Sequence, residues 1–202
     1  MKRTFKSFVA VAISTAVFAP AALAGIINGS FEQDIQGANS WSIYQNLTGW
    51  TGGQLGIELR NNVAGAAHTG VNYVELDTTG NSLASQLVTT SGVLYALTFA
   101  YSPRQGIAAS SNGIEVWWNG AMTGFFTGTG SGSGNNWALH TLQVLGTSPT
   151  STLEFRAVGT SDSLGCSLDS VSITAVPEPG TLALLGLGLA GLGWTRRRKT
   201  VA

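Results

Sequence analysis

The chain is poor in charge, in cysteine and in helical periodicity. Only 10% of its 202 residues are charged, Cys166 is the single cysteine, and His68 and His140 are the two histidines. One cysteine excludes an intramolecular disulfide, so stability has to come from a packed core, which a chain of this length can build. Cys166 itself reads as a small buried hydrophobe. Neither histidine sits in a zinc-ligand spacing such as His-Glu-x-x-His. No Gly-x-Ser-x-Gly elbow is present, and the Gly-Ser run near residue 130 lacks the Lys-Ser/Thr of a phosphate loop. What is plentiful is glycine, 27 residues, with many Ser, Thr and Asn beside 44% hydrophobics. That composition suits exported all-β material.

The formal net charge of zero hides a division. Lys2, Arg3, Lys6, Arg196, Arg197, Arg198 and Lys199 all lie in the end segments, which leaves Arg60, Arg104 and Arg156 against nine carboxylates between Gly25 and Val176, a net of −6. An acidic body repels nucleic acid and anionic membrane, so neither is expected as its partner.

At the N-terminus, Lys2, Arg3 and Lys6 precede an apolar run from Phe8 to Phe18, and Ala22-Leu23-Ala24 has the small-x-small pattern of a signal-peptidase site. Residues 1–24 therefore read as a secretory signal peptide cut after Ala24 by signal peptidase. The middle, 25–175, shows short alternating apolar segments punctuated by Gly, Asn and Ser. Strands are expected at 26–31, 55–60, 71–77, 83–89, 93–101, 113–118, 138–145, 152–158 and 168–174. About nine short strands that each bury one face suggest an all-β, two-sheet jelly-roll sandwich, with a closed barrel as the competitor. The loops 61–70 and 124–136 stand out, the second as a glycine-rich, mobile connection.

The tail has three parts: Val176-Pro177-Glu178-Pro179-Gly180, an uncharged stretch from Thr181 to Trp194, and the cluster Arg196-Arg197-Arg198-Lys199. As helix, the fourteen uncharged residues span about 21 Å at 1.5 Å each, short of the roughly 30 Å hydrocarbon core. The basic cluster would stay on the cytoplasmic side. This order resembles the PEP-CTERM sorting tail, with Pro177, Glu178, Pro179 and Arg196 to Arg198 as the sorting residues. The resemblance implies a Gram-negative bacterium that makes exopolysaccharide and an exosortase-type processing enzyme. It further implies an inner-membrane intermediate held by a transmembrane segment, then delivery to the cell surface or biofilm matrix.

The body carries a second resemblance. Asn28-Gly29-Ser30-Phe31-Glu32, Gly49-Trp50, Tyr73-Val74-Glu75-Leu76-Asp77, Tyr95-Ala96-Leu97-Thr98-Phe99 and Leu168-Asp169-Ser170-Val171-Ser172-Ile173 are similar, in that order, to galactose-binding-like β-sandwiches of the secreted DUF642 type. That likeness implies a structural calcium ion at Glu32 and Asp169. The competing reading leaves both carboxylates solvated or bonded to backbone turns.

Trp41, Tyr44, Trp50, Trp117, Trp118 and Trp137 are the aromatics that can stack on a sugar ring, and Trp117, Trp118 and Trp137 are the named candidates. Adjacent on a strand, Trp117 and Trp118 point to opposite faces, so one belongs to the core. Glu58, Glu75 and Glu115 sit on expected strands and read as solvent-facing, with nothing to select a catalytic pair. The expected protein is a non-enzymatic exported sandwich that binds extracellular polysaccharide. The alternatives are an adhesive matrix protein without a ligand site and, last, a polysaccharide hydrolase.

Overall fold

The computed structural model describes residues 25–89, 92–147, 149–177 and 185–191. The signal segment with Ala24, the sorting residues Glu178 and Pro179, and Arg196 to Arg198 lie outside the described residues; Pro177 is described and exposed.

The strands are β1 (Ser40–Tyr44), β2 (Asn46–Leu47), β3 (Trp50–Gly52), β4 (Ile57–Asn61), β5 (Asn72–Glu75), β6 (Leu83–Thr89), β7 (Leu94–Ser102), β8 (Gly113–Trp118), β9 (Ala121–Phe126), β10 (Ala138–Leu145), β11 (Thr150–Val158) and β12 (Ser167–Ala175). They form two antiparallel six-stranded sheets. Sheet A runs β1-β4-β5-β12-β7-β10 and sheet B runs β2-β3-β6-β11-β8-β9. This is the two-layer sandwich expected from the alternation, and its core is what each inner face buries. Ile57, Leu59, Val74, Leu97, Phe99 and Leu168 of sheet A meet Val88, Ile114, Val116, Leu153 and Phe155 of sheet B. Aromatic rings link the layers, with Phe31 5.6 Å from Trp50, Trp50 6.2 Å from Phe155 and Phe155 5.1 Å from Phe99. These centroid distances are those of favourable tilted and edge-on pairs.

Two expectations change. Residues 26–31 form a turn, not a strand. Asn28 and Phe31 have φ of 54° and 60°, and the Gln86 side chain occupies both the N–H and the carbonyl of Ile27, where a neighbouring strand would have bonded. The glycine-rich stretch begins as strand β9, and the rest is docked, not a free connection. Gly130 N–H donates to the Ile107 carbonyl, Gly134 N–H to Gln105 Oε1, and Asn136 N–H to Ser102 Oγ. Among the described residues, the tail contributes a short exposed helix at 185–191, and no helix is long and apolar enough to cross a membrane.

The opening turn closes on the last strand. β12 has a bulge between Asp169 and Ser172, with Ser170 at φ 53°. Val171 N–H there donates to the Gly29 carbonyl. A side chain at Gly29 would run into the Val171 carbonyl, so the glycine is required by close approach of two backbones.

Candidate functional site

Pleating places every second residue of sheet A on the face away from the core. Leu59, Val74 and Leu168 point inward, so Glu58, Arg60, Tyr73, Glu75, Ser167 and Asp169 share the outer face. These residues are buried all the same, because loops lie over them. Ala64 N–H donates to the Tyr73 hydroxyl, and the Trp137 indole and the Asn135 amide both donate to the Ala66 carbonyl. The two loops that stood out in the sequence thus pack on each other across β5, β12 and β7.

Over edge strand β1 the face opens, while β4 beside it stays buried. Strand β1 is inverted at Trp41 and Ile43, whose side chains stand outward, while Tyr44 packs against the core. Trp41 pairs across from Arg60 and is 53% exposed, and Ile43 pairs across from Glu58. A cleft of ≈ 220 Å³ opens here, lined by Trp41, Ile43, Val63, Glu58, Arg60 and Arg104 among others.

One charge network forms its floor. Arg60 is 3% exposed and donates through Nε to Glu58 Oε1 at 2.5 Å and through Nη2 to Glu75 Oε2. Arg104 reaches the same Glu75 oxygen at 3.1 Å and the Ser163 carbonyl at 3.2 Å. Gly165 N–H donates to Glu75 Oε1. Burial pushes the Glu75 carboxyl up to about 8, against the lowering pull of Arg60, Arg104 and the Gly165 amide. Arg60 stays protonated above its ordinary range: the attraction of Glu75 and Glu58 outweighs the larger single cost of its burial. The solvent-facing reading of Glu58 and Glu75 is therefore corrected, since each is committed to a buried guanidinium. Glu115 is half-buried and accepts from the Trp117 indole at 2.8 Å.

The aromatic candidates separate. Trp118 faces the core and donates to the Leu145 carbonyl, so it is no sugar platform. Trp117 is its outward partner on sheet B, as alternation requires, and Arg156 caps its ring at 4.1 Å. Trp137 is half-buried, edge-on to Tyr73 at 5.7 Å and to His68 at 6.0 Å. Trp41 alone among the six presents an exposed ring beside buried charge.

Glu32 and Asp169 do converge, on segment 68–72. Glu32 Oε1 accepts the amides of Val71 and Asn72 at 2.9 and 2.7 Å, and Asp169 Oδ2 accepts those of His68 and Thr69 at 2.8 and 2.9 Å. Burial raises Asp169 to about 6, partly offset by the amides of Thr69, Ser170 and His68. Calcium takes six or more oxygens. The loop-facing oxygens of this clasp already receive N–H donors, and no group of three His, Cys, Asp or Glu gathers among the described residues. Cys166 is buried as expected, and burial lifts its thiol above the ordinary range.

The order Pro-Glu-Pro, apolar stretch, arginine cluster decides where the protein goes. Residues 175–198 match the PEP-CTERM protein-sorting motif. The chain carries a PEP-CTERM sorting signal. That motif marks an exported protein, processed at the membrane by an exosortase.

No curated protein matches the chain in sequence. Among solved structures, the sandwich is similar to a Stig cyclase, Fisc from Fischerella sp. TAU, with 14% identity, TM-score 0.58, and coverage of 79% of this chain and 100% of that one. It is similar to an apo cyclase from Fischerella sp. with 15% identity, TM-score 0.54, and coverage of 79% and 98%. The xylan-binding CBM22-1 domain of Paenibacillus barcinonensis Xyn10C aligns at 18% identity and TM-score 0.48, over 79% of this chain and 100% of that one. At such identities the cyclases share the fold, a β-sandwich, and nothing further is carried across.

Proposed function

We propose that this PEP-CTERM protein is a non-catalytic carbohydrate-binding sandwich, carried by its tail to the cell surface or exopolysaccharide matrix of a Gram-negative bacterium, with the Trp41 cleft as its sugar site. The observation that supports this most is the inverted edge strand β1. It stands an exposed indole beside fixed hydrogen-bonding groups, Glu58 and Arg60. A sugar ring is apolar on its C–H faces and polar at its rim, so it takes an aromatic plate with polar groups at the edge.

Catalysis forms no part of the proposal. Hydrolysis of a glycosidic bond needs two carboxylates free to act on either side of it, whereas Arg60 holds both Glu58 and Glu75. Glu75, the one carboxyl pushed up to about 8, is fully buried and does not line the cleft.

Retention of the secreted, processed protein on a polysaccharide panel, including the host's own exopolysaccharide, tests the reading. Retention is expected, with loss on Trp41→Ala and no loss on Trp117→Ala. Passage unretarded through every polysaccharide would favour an adhesive matrix protein without a ligand site. One observation speaks for that second reading: Leu87, Met122 and Phe125 are exposed on the outer face of sheet B.

A further inference from the structure

The body has three basic residues against nine acidic ones, and two of the three, Arg60 and Arg104, line the same cleft. Arg60 spends Nε on Glu58 and Nη2 on Glu75, while its Nη1 is buried with no hydrogen-bond partner. A buried donor left unpaired is costly and in native proteins calls for an explanation, such as a ligand oxygen. Arg104 lines the cleft with its side chain 22% exposed. The local balance of charge is the reverse of the domain's. Of the charged residues lining the cleft, Glu58 is the acid and Arg60 and Arg104 are the bases. Glu75, which both arginines contact, lies fully buried behind them and is not part of the lining.

We propose that the sugar held in this cleft is acidic: a uronate unit of an anionic polysaccharide, with its carboxylate taken by Arg60 and Arg104 and a ring face against Trp41. This rests on the carbohydrate-binding reading above. A guanidinium presents planar paired donors that match the two oxygens of a carboxylate, a fit that a neutral hydroxyl does not reproduce. The ≈ 220 Å³ cleft holds the space of about seven waters, room for one ring. A body of net −6 repels a polyanion in general, so such binding has to come from a local built site and not from diffuse attraction.

Calorimetric titration of the processed protein with oligogalacturonate, oligomannuronate, their carboxyl-reduced counterparts and a neutral xylan tests this. Saturable binding to at least one uronate oligomer is expected, at least tenfold tighter than to its reduced form. Arg104→Gln is expected to weaken uronate binding at least tenfold at an unchanged fold, judged by circular dichroism. Arg104→Lys keeps the charge without the planar fork and is expected to fall between. Trp41→Ala should weaken the acidic and reduced forms alike. Equal affinity for acidic and reduced oligomers, or binding to the neutral sugars alone, overturns the uronate assignment and leaves the carbohydrate reading standing. Binding to none of the saccharides overturns both. Uronate binding untouched by Arg104→Gln and Trp41→Ala puts the site elsewhere and overturns the assignment, as does equal competition by acetate, which would reveal a bare carboxylate site.

Discussion

Trp41 and Arg60 face each other across the β1–β4 ladder, one 53% exposed and the other 3%. An aromatic plate open to solvent and a guanidinium sealed from it therefore share one patch of sheet A. The contrast gives Trp41 an expected role in recognition alone, whereas Arg60 also holds the buried carboxylates of the sheet in place.

Arg60→Ala should be severely destabilising. Removing one partner from a buried ion pair costs about 3–5 kcal/mol, because the other charges stay buried and uncompensated. Here Glu58 and Glu75 would both be stranded. Trp41→Ala, at an exposed position, should change stability by less than about 1 kcal/mol. Chemical denaturation of both variants measures the difference, and comparable losses would mean that Trp41 is structural.

Stability should fall as pH rises from 6.5 to 8. Glu75 has its folded pKa raised to about 8 by burial, so its contribution is complete below the ordinary carboxyl range and is lost as pH climbs through the folded value. The slope reaches about 1 kcal/mol per pH unit for one proton. Asp77, raised by burial, and Asp169, raised to about 6, act in the same direction at lower pH. His140, lowered by burial, contributes stability that is lost as pH falls through its ordinary range. Melting temperatures measured between pH 6.5 and 8.5 should drop for the native protein and stay flat for Glu75→Gln. An equal slope in both would assign the effect to another group.

The carboxylate clasp on segment 68–72 should hold without metal. Glu32→Gln and Asp169→Asn each weaken charge-assisted bonds to two amides and should cost about 1–3 kcal/mol apiece. Because these oxygens are already paired, calcium and chelator should leave the melting temperature unchanged. A rise with calcium, lost in both variants, would mean that an ion joins the clasp.

The adjacent tryptophans of β8 should behave oppositely. Trp118→Ala removes a buried core ring and should cost about 3–5 kcal/mol. Trp117→Ala removes an outward ring under Arg156 and should cost about 1 kcal/mol. Thermal melts of the pair read this directly.

Much of the sandwich was legible in the sequence because alternation fixes strand faces. The ranges read for β6, β8 and β10 coincide with those observed. The residues of the opening and closing motifs, Gly29 and Val171, do meet. Strand β1 escaped because Trp41 and Ile43 stand outward, the reverse of what a core-facing strand shows. Strand β9 escaped although Asn119-Gly120, at φ of 51° and 77°, is a strong hairpin signal. The cleft was hidden for the same reason that the strands were visible. In Ile57-Glu58-Leu59-Arg60 the polar positions alternate as solvent-facing ones do, and only loops from distant sequence bury them. The scarcity of bases in the body was the available clue, because two of the three arginines converge on Glu75.

The place where the tail leaves the domain sets how a pull would travel. β12 is an interior strand, paired to β7 as far as Ala175 and to β5 at Ser167 and Leu168, and β5 is paired in turn to β4 beneath the cleft. Tension applied between a tethered C-terminus and a polymer gripped at Trp41 would therefore run sideways through the ladders of a single sheet, with the short β12–β5 pairing at Ser167 and Leu168 as its narrowest link, without prying the two layers apart.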